Sequence, residues 1–312
     1  MTFTASLTPN AGQMIVIYEE DAMIKDKQAK QLVEILLKYN PERPKVAADK
    51  LRNLWLQYEP KSIEVIKASL REQQETIGIP VPILKSIGEE ISKTARNRVD
   101  DYLPLVHLLW NEYGREGRVV ALIPMGAMEL TRPEKVVPLL KEMCRTCFTW
   151  EDVDRLAMDA LEPIVRKKPE EWLGETESWL DDENKWVRRA GVIVIGRLPL
   201  KHPDYAGQCL GLIERLLYDK DEDVKKAVSF AIRLVARVEI DSVHNLLTQY
   251  IPPKNQAGTW VLCDVIRSMA KIYLSKFVDL LPLYEKWSTD ESLTTKERRS
   301  IQSAIKTLQE SR

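Results

Sequence analysis

Five valines set the frame of this chain. Val119, Val153, Val187, Val224 and Val261 recur at intervals of 34, 34, 37 and 37 residues. Each opens a segment with helical spacing of apolar residues: GRVVALIPMGAMEL, EDVDRLAMDALEPI, KWVRRAGVIVIGRL, EDVKKAVSFAIRLV and TWVLCDVIRSMAKI. A unit of this length holds one helix pair, which cannot bury its apolar stripe alone and must stack on its neighbours. Where an acid precedes the valine it suits a helix start, and a following alanine, as in WVRRA and DVKKA, allows close helix packing.

The period predicts an all-α fold, a right-handed α-solenoid of HEAT or armadillo type. Further helical segments agree with it: AKQLVEILLKY (29–39), KLRNLWLQY (50–58), VVPLLKEMC (136–144) and LGLIERLLY (210–218). Residues 1–20 are ambiguous, since Ile15, Val16 and Ile17 fit either a strand or an extended arm. Residues 1–60 are expected to form an N-terminal extension and helical cap, and 61–312 the solenoid. The terminal run 285–312 is expected to close the stack, with a capping box at Thr294 and Glu297.

Composition narrows the function. Apolar residues at 44% and charged residues at 30% are those of a folded protein, and the 12 glycines and 17 prolines fall mostly between helices. A net charge of −1 leaves no global attraction to nucleic acid, so any polyanion must meet a local basic face. No apolar run reaches the ~20 residues that span a bilayer. The start of the chain lacks a basic segment before MIVIY, which argues against a secretory leader. A cytoplasmic setting is the expectation. Cys144 and Cys147 form a lone C-x-x-C without two further ligands, so neither metal nor cofactor is expected.

In a solenoid the second helices usually line the concave side. On the helix opening at Val224, the residues Val224, Ala227, Ala231, Leu234 and Val235 make the buried stripe. Lys226, Phe230, Arg233 and Arg237 share another face. Three cations and an aromatic there fit phosphate binding with a stacking surface, or else a solvated face. Arg155 and Arg189 hold the same register as Lys226, two residues past their valines, which suggests a basic row. Trp186 and Trp260, just before their valines, are expected between repeats. Trp150 and Asp154 in FTWEDVDRL (148–156) raise the same alternatives: a packing residue and a first-turn acid, or the wall and working group of a site.

Several segments in order resemble the AlkD-type DNA alkylation repair glycosylases over about residues 76–240. They are IGIPVPILKSIGEEI (77–91), LLWNEYGREGRVVALIPM (108–125), TWEDVDRL (149–156), WLDDENKWVRRAGV (179–192) and LLYDKDEDVKKAVSFAIR (216–233). The resemblance implies excision of N3- or N7-alkylated, cationic purines from duplex DNA, by a chain expected to be monomeric. It implies that Trp150 and Asp154 face the damaged nucleotide, that Arg189 faces DNA, and that Asp154 stabilises an oxocarbenium-like sugar. Lys226, Arg155, Arg233 and Arg237 would bind the duplex with Phe230. Two positions depart from the pattern: Phe230 replaces a tryptophan, and Leu234 replaces a glutamate. Those departures keep two alternatives open, a DNA-binding relative without chemistry and a protein-interaction scaffold.

Overall fold

The computed structural model describes residues 42–57, 75–128 and 132–311, together with positions 31, 34, 38 and 40. Most of the predicted helix 29–39, the segment 1–20 and the surroundings of the expected boundary near residue 60 lie outside the described residues. Among the described residues the secondary structure is helical, with no strand. They include no helix long and apolar enough to cross a membrane. The chain divides into two compact units, residues 1–136 and 137–312.

The N-terminal unit contains α1 (Pro44–Trp55), α2 (Val81–Ala95), α3 (Val99–Glu112) and α4 (Gly114–Met128). Helix α4 packs against both α2 and α3, and α1 against α3. Trp55, Tyr102 and Trp110 are almost fully buried there, and Val119, the first of the periodic valines, is 3% exposed. The Glu116 carboxylate is buried and accepts hydrogen bonds from the N–H groups of Ile77, Gly78 and Ile79, at 3.2, 2.8 and 3.3 Å. It thereby satisfies backbone donors in the extended stretch leading into α2.

The next helix, α5 (Pro133–Arg145), spans the boundary between the units. In the C-terminal unit the second helices stack in sequence order. A continuous helical rod comprises α6 (Trp150–Arg155), a π turn (Leu156–Leu161) and α7 (Glu162–Lys167). It packs on α9 (Lys185–Arg197), which packs on α11 (Glu222–Val235), then α13 (Gln256–Arg267), then α16 (Thr295–Gln309). The first helices α8 (Pro169–Ser178), α10 (Ala206–Glu214), α12 (Ile240–Tyr250) and α15 (Leu281–Ser288) belong to the same repeats, with the short α14 (Lys271–Leu274) after α13. Val153, Val187, Val224 and Val261 are all fully buried, so the period is the period of the core.

Each second helix of the stack starts on a polar cap. Thr149, Asn184, Asp221, Asn255 and Thr294 accept from backbone N–H groups of the first turns of α6, α9, α11, α13 and α16. These caps satisfy donors that have no partner within the helix. The capping box expected at Thr294 and Glu297 is present in both halves.

One close approach fixes the stack. A Cβ added to Gly196 on α9 would lie 2.4 Å from the Cβ of Ala231 on α11. Gly196→Ala must therefore push two site-bearing helices apart, and a loss of about 1–3 kcal/mol is expected in denaturant unfolding. An unchanged midpoint would show that the two helices separate without cost.

Candidate functional site

Trp150 and Asp154 lie on one short helix whose start is doubly tied. The Thr149 hydroxyl oxygen accepts from Asp152 N–H at 3.3 Å, while the Asp152 carboxylate accepts from Phe148 N–H at 3.2 Å. Trp150 and Asp154, one turn apart, thus share a side of a helix with a fixed beginning. The Trp150 indole is 56% exposed and Phe148 50%, so neither side chain is sealed between repeats. The packing alternative for Trp150 is thereby excluded.

The Asp154 carboxylate is bound by Arg189 from α9 in a two-point contact. Nε donates to Oδ1 at 2.7 Å and Nη2 to Oδ2 at 2.8 Å. The third guanidinium nitrogen of Arg189, Nη1, donates to the Asp223 carbonyl on α11. One arginine therefore ties together the second helices of three consecutive repeats. Its side chain is 8% exposed and that of Asp154 18%. Burial, the largest influence, raises the Asp154 carboxyl above the ordinary carboxylate range, and the guanidinium opposes it.

That pair revises the expected basic row. Arg189 is buried and committed to Asp154, and Arg155 is half-buried and pairs with Glu151 one turn back at 2.9 Å. Of the three residues in that register, Lys226 is exposed and enters no ion pair among the described residues. The difference lies in where each acid is engaged: Glu151 one turn back pairs with Arg155 and Asp154 one repeat back with Arg189, whereas Glu222, one turn before Lys226, pairs with Lys225 at 3.1 Å.

Of the predicted face, Lys226, Phe230 and Arg233 lie on α11, which ends at Val235, while Arg237 stands in the turn that follows, so the face is one turn shorter than expected. Val224, Ala227, Ala231, Leu234 and Val235 are buried as expected. Phe230 is 37% exposed, and Lys226 and Arg237 are exposed. Arg233 is half-buried, 6.0 Å from the Phe230 ring centroid, and donates to Asp264 on α13 at 3.2 Å. Phe230, Arg233 and Arg237 line a cavity of about 180 Å³ with Tyr273. Leu234, at the position of the expected glutamate, is 5% exposed and belongs to the core, not to this face.

Two features escaped the sequence reading. The π turn begins two residues after Asp154 on the same rod, and such widened turns accumulate at functional sites. No local signal marked it: Pro163 follows this turn, but Pro104, Pro124 and Pro138 sit inside helices that stay α-helical. Trp186 and Trp260 were expected to be buried, yet both are half-exposed, with the Lys185 and Lys225 ammonium groups 4.3 and 5.9 Å from their ring centroids. Cys144 and Cys147 are buried thiols, and burial pushes the Cys144 thiol up. Among the described residues, no three His, Cys, Asp or Glu side chains gather as a metal site.

The C-terminal unit is thus a helical-repeat stack of HEAT or armadillo type that holds an exposed indole beside an arginine-clamped carboxylate. The profile of the family described as DNA alkylation repair enzyme matches residues 51–255, and the chain belongs to that family. Among solved structures, AlkD2 from Streptococcus mutans superposes with a TM-score of 0.51 at 17% identity, covering 67% of this chain and 99% of that one. The smu.31 protein of Streptococcus mutans UA159 gives 0.48 at 17% identity, over 60% of this chain and 100% of that one. No curated protein is significantly similar to the chain in sequence.

Proposed function

We propose that the chain is a DNA glycosylase that releases N3- and N7-alkylated purines from duplex DNA, with Asp154 and Trp150 at the reacting sugar. The single observation that carries this reading is the exposed Trp150 on the same side of α6 as the clamped Asp154, in a member of a DNA alkylation repair family. A purine alkylated at N3 or N7 already carries positive charge, so its departure needs no protonating acid. Positive charge then grows on the deoxyribose, and a nearby carboxylate stabilises it and can orient the attacking water. Trp150 gives the sugar an apolar wall. Arg189 is a positioning residue, since its planar fork holds both carboxylate oxygens in one orientation. Lys226, Arg237 and Phe230 would meet the flanking backbone.

Duplex DNA carrying N7-methylguanine, incubated with the protein, should release base faster than its spontaneous depurination. Trp150→Ala should slow release by about tenfold or more, the range of one lost aromatic contact with a nucleotide. Release at the spontaneous rate, with duplex binding retained, would make the chain a DNA-binding relative without chemistry. Absence of binding at low salt would leave the helical stack as a protein-interaction scaffold.

A further inference from the structure

Beyond residue 255, where the family match ends, the stack continues through α13 to α16 and encloses a second open cavity of about 320 Å³. It lies against the first turns of α11, α13 and α16, and its size is that of small-molecule sites. Four cations line it, Lys225, Arg267, Lys296 and Arg299, against two carboxylates, Glu222 and Glu297. Both carboxylates are engaged. Glu222 accepts from Lys225 at 3.1 Å, and Glu297 accepts from Thr294 N–H and from the buried Thr259 hydroxyl, at 3.0 and 3.3 Å. Arg267 pairs with Asp264 at 3.2 Å. Lys296 and Arg299 are exposed and enter no ion pair among the described residues, which leaves the cavity with free positive charge. The N-terminal dipoles of α13 and α16 add to it. The half-exposed indole of Trp260 forms part of the wall.

Free cations beside an aromatic plane are the chemistry that recognises a nucleotide: phosphate to Lys296 and Arg299, base to Trp260. We propose that this cavity is a nucleotide-binding site and that the strand flanking the lesion supplies the nucleotide, the second clause resting on the proposed function. Trp150 and Trp260 stand three helix spacings apart in one layer, so at about 9 Å per spacing the separation is roughly 27 Å. At 3.4 Å per base pair that is about 8 base pairs.

The test compares Lys296→Ala/Arg299→Ala and Trp260→Ala with wild type. One arm uses intact duplexes that extend either well beyond or well short of about 8 base pairs on each side of their centre. The double variant should bind the long duplex about tenfold more weakly, with a salt slope shallower by one to two, and the short duplex unchanged. Trp260→Ala should weaken the long duplex alone, with unchanged thermal unfolding showing that the cap is intact. The other arm titrates free deoxyadenosine monophosphate. Binding of the free nucleotide that is lost in the variants, without a length effect on DNA, would retain the nucleotide site and overturn its use by the flanking strand. No difference in either arm would overturn the site itself. Base release from a short duplex that carries N7-methylguanine reports on Asp154 separately, so failure here and failure of the glycosylase reading are distinguishable.

Discussion

Asp154→Asn should slow release of N7-methylguanine by roughly a thousandfold while duplex binding persists. A carboxylate ~4 Å from a developing positive charge, at an effective dielectric of ~20, is worth about 4 kcal/mol. Realised only in the transition state, that is about a thousandfold in rate. The Arg189 clamp adds a feature that a lone acid would lack. A sugar that approached the carboxylate at its free edge, with the guanidinium at about twice that distance, would be opposed by the guanidinium with about 2 kcal/mol. Asp154→Asn removes the favourable charge and leaves the unfavourable one. Asp154→Asn/Arg189→Met removes both, so it should lose only about thirtyfold and outperform the single variant. Single-turnover base release on the two variants measures this directly. Equal rates would mean that Arg189 has no electrostatic influence on the reacting sugar, and a wild-type rate for Asp154→Asn would remove the acid from the mechanism.

The second large effect is on folding. Arg189→Met leaves a mostly buried carboxylate without its countercharge and the Asp223 carbonyl without its guanidinium donor. Breaking one side of a buried pair costs about 3–5 kcal/mol. Urea unfolding should show a loss of that order at neutral pH. The pH dependence has a definite sign. Burial already raises the Asp154 carboxyl above its unfolded value, and loss of the opposing guanidinium raises it further. The folded state then binds the proton more readily than the unfolded chain, so stability falls as pH rises through the folded pKa. The deficit against wild type should therefore narrow as pH is lowered towards the ordinary carboxylate range. A constant or widening deficit would show that Arg189 acts through packing alone. Replacing both partners by apolar groups is often near neutral, which keeps the double comparison above interpretable.

How much of this was legible beforehand can be judged residue by residue. The valine period anticipated the stack because burial of one position per repeat is what joins the layers, and all five valines are buried. The buried stripe of α11 and the capping box at Thr294 and Glu297 were readable because helical spacing and cap chemistry are local. Tertiary structure decided the rest. Arg155, Arg189 and Lys226 share a register, yet the first two are paired and Lys226 is exposed, because Glu222, one turn before Lys226 as Glu151 is before Arg155, pairs with Lys225 instead. Likewise Trp150 is exposed while Trp179 is fully buried, although both are indoles on helical segments of one solenoid. A one-dimensional pattern specifies which face a side chain takes on its own helix; what stands opposite that face, and hence whether a charge is spent or available, is set only when residues some 35 positions apart meet.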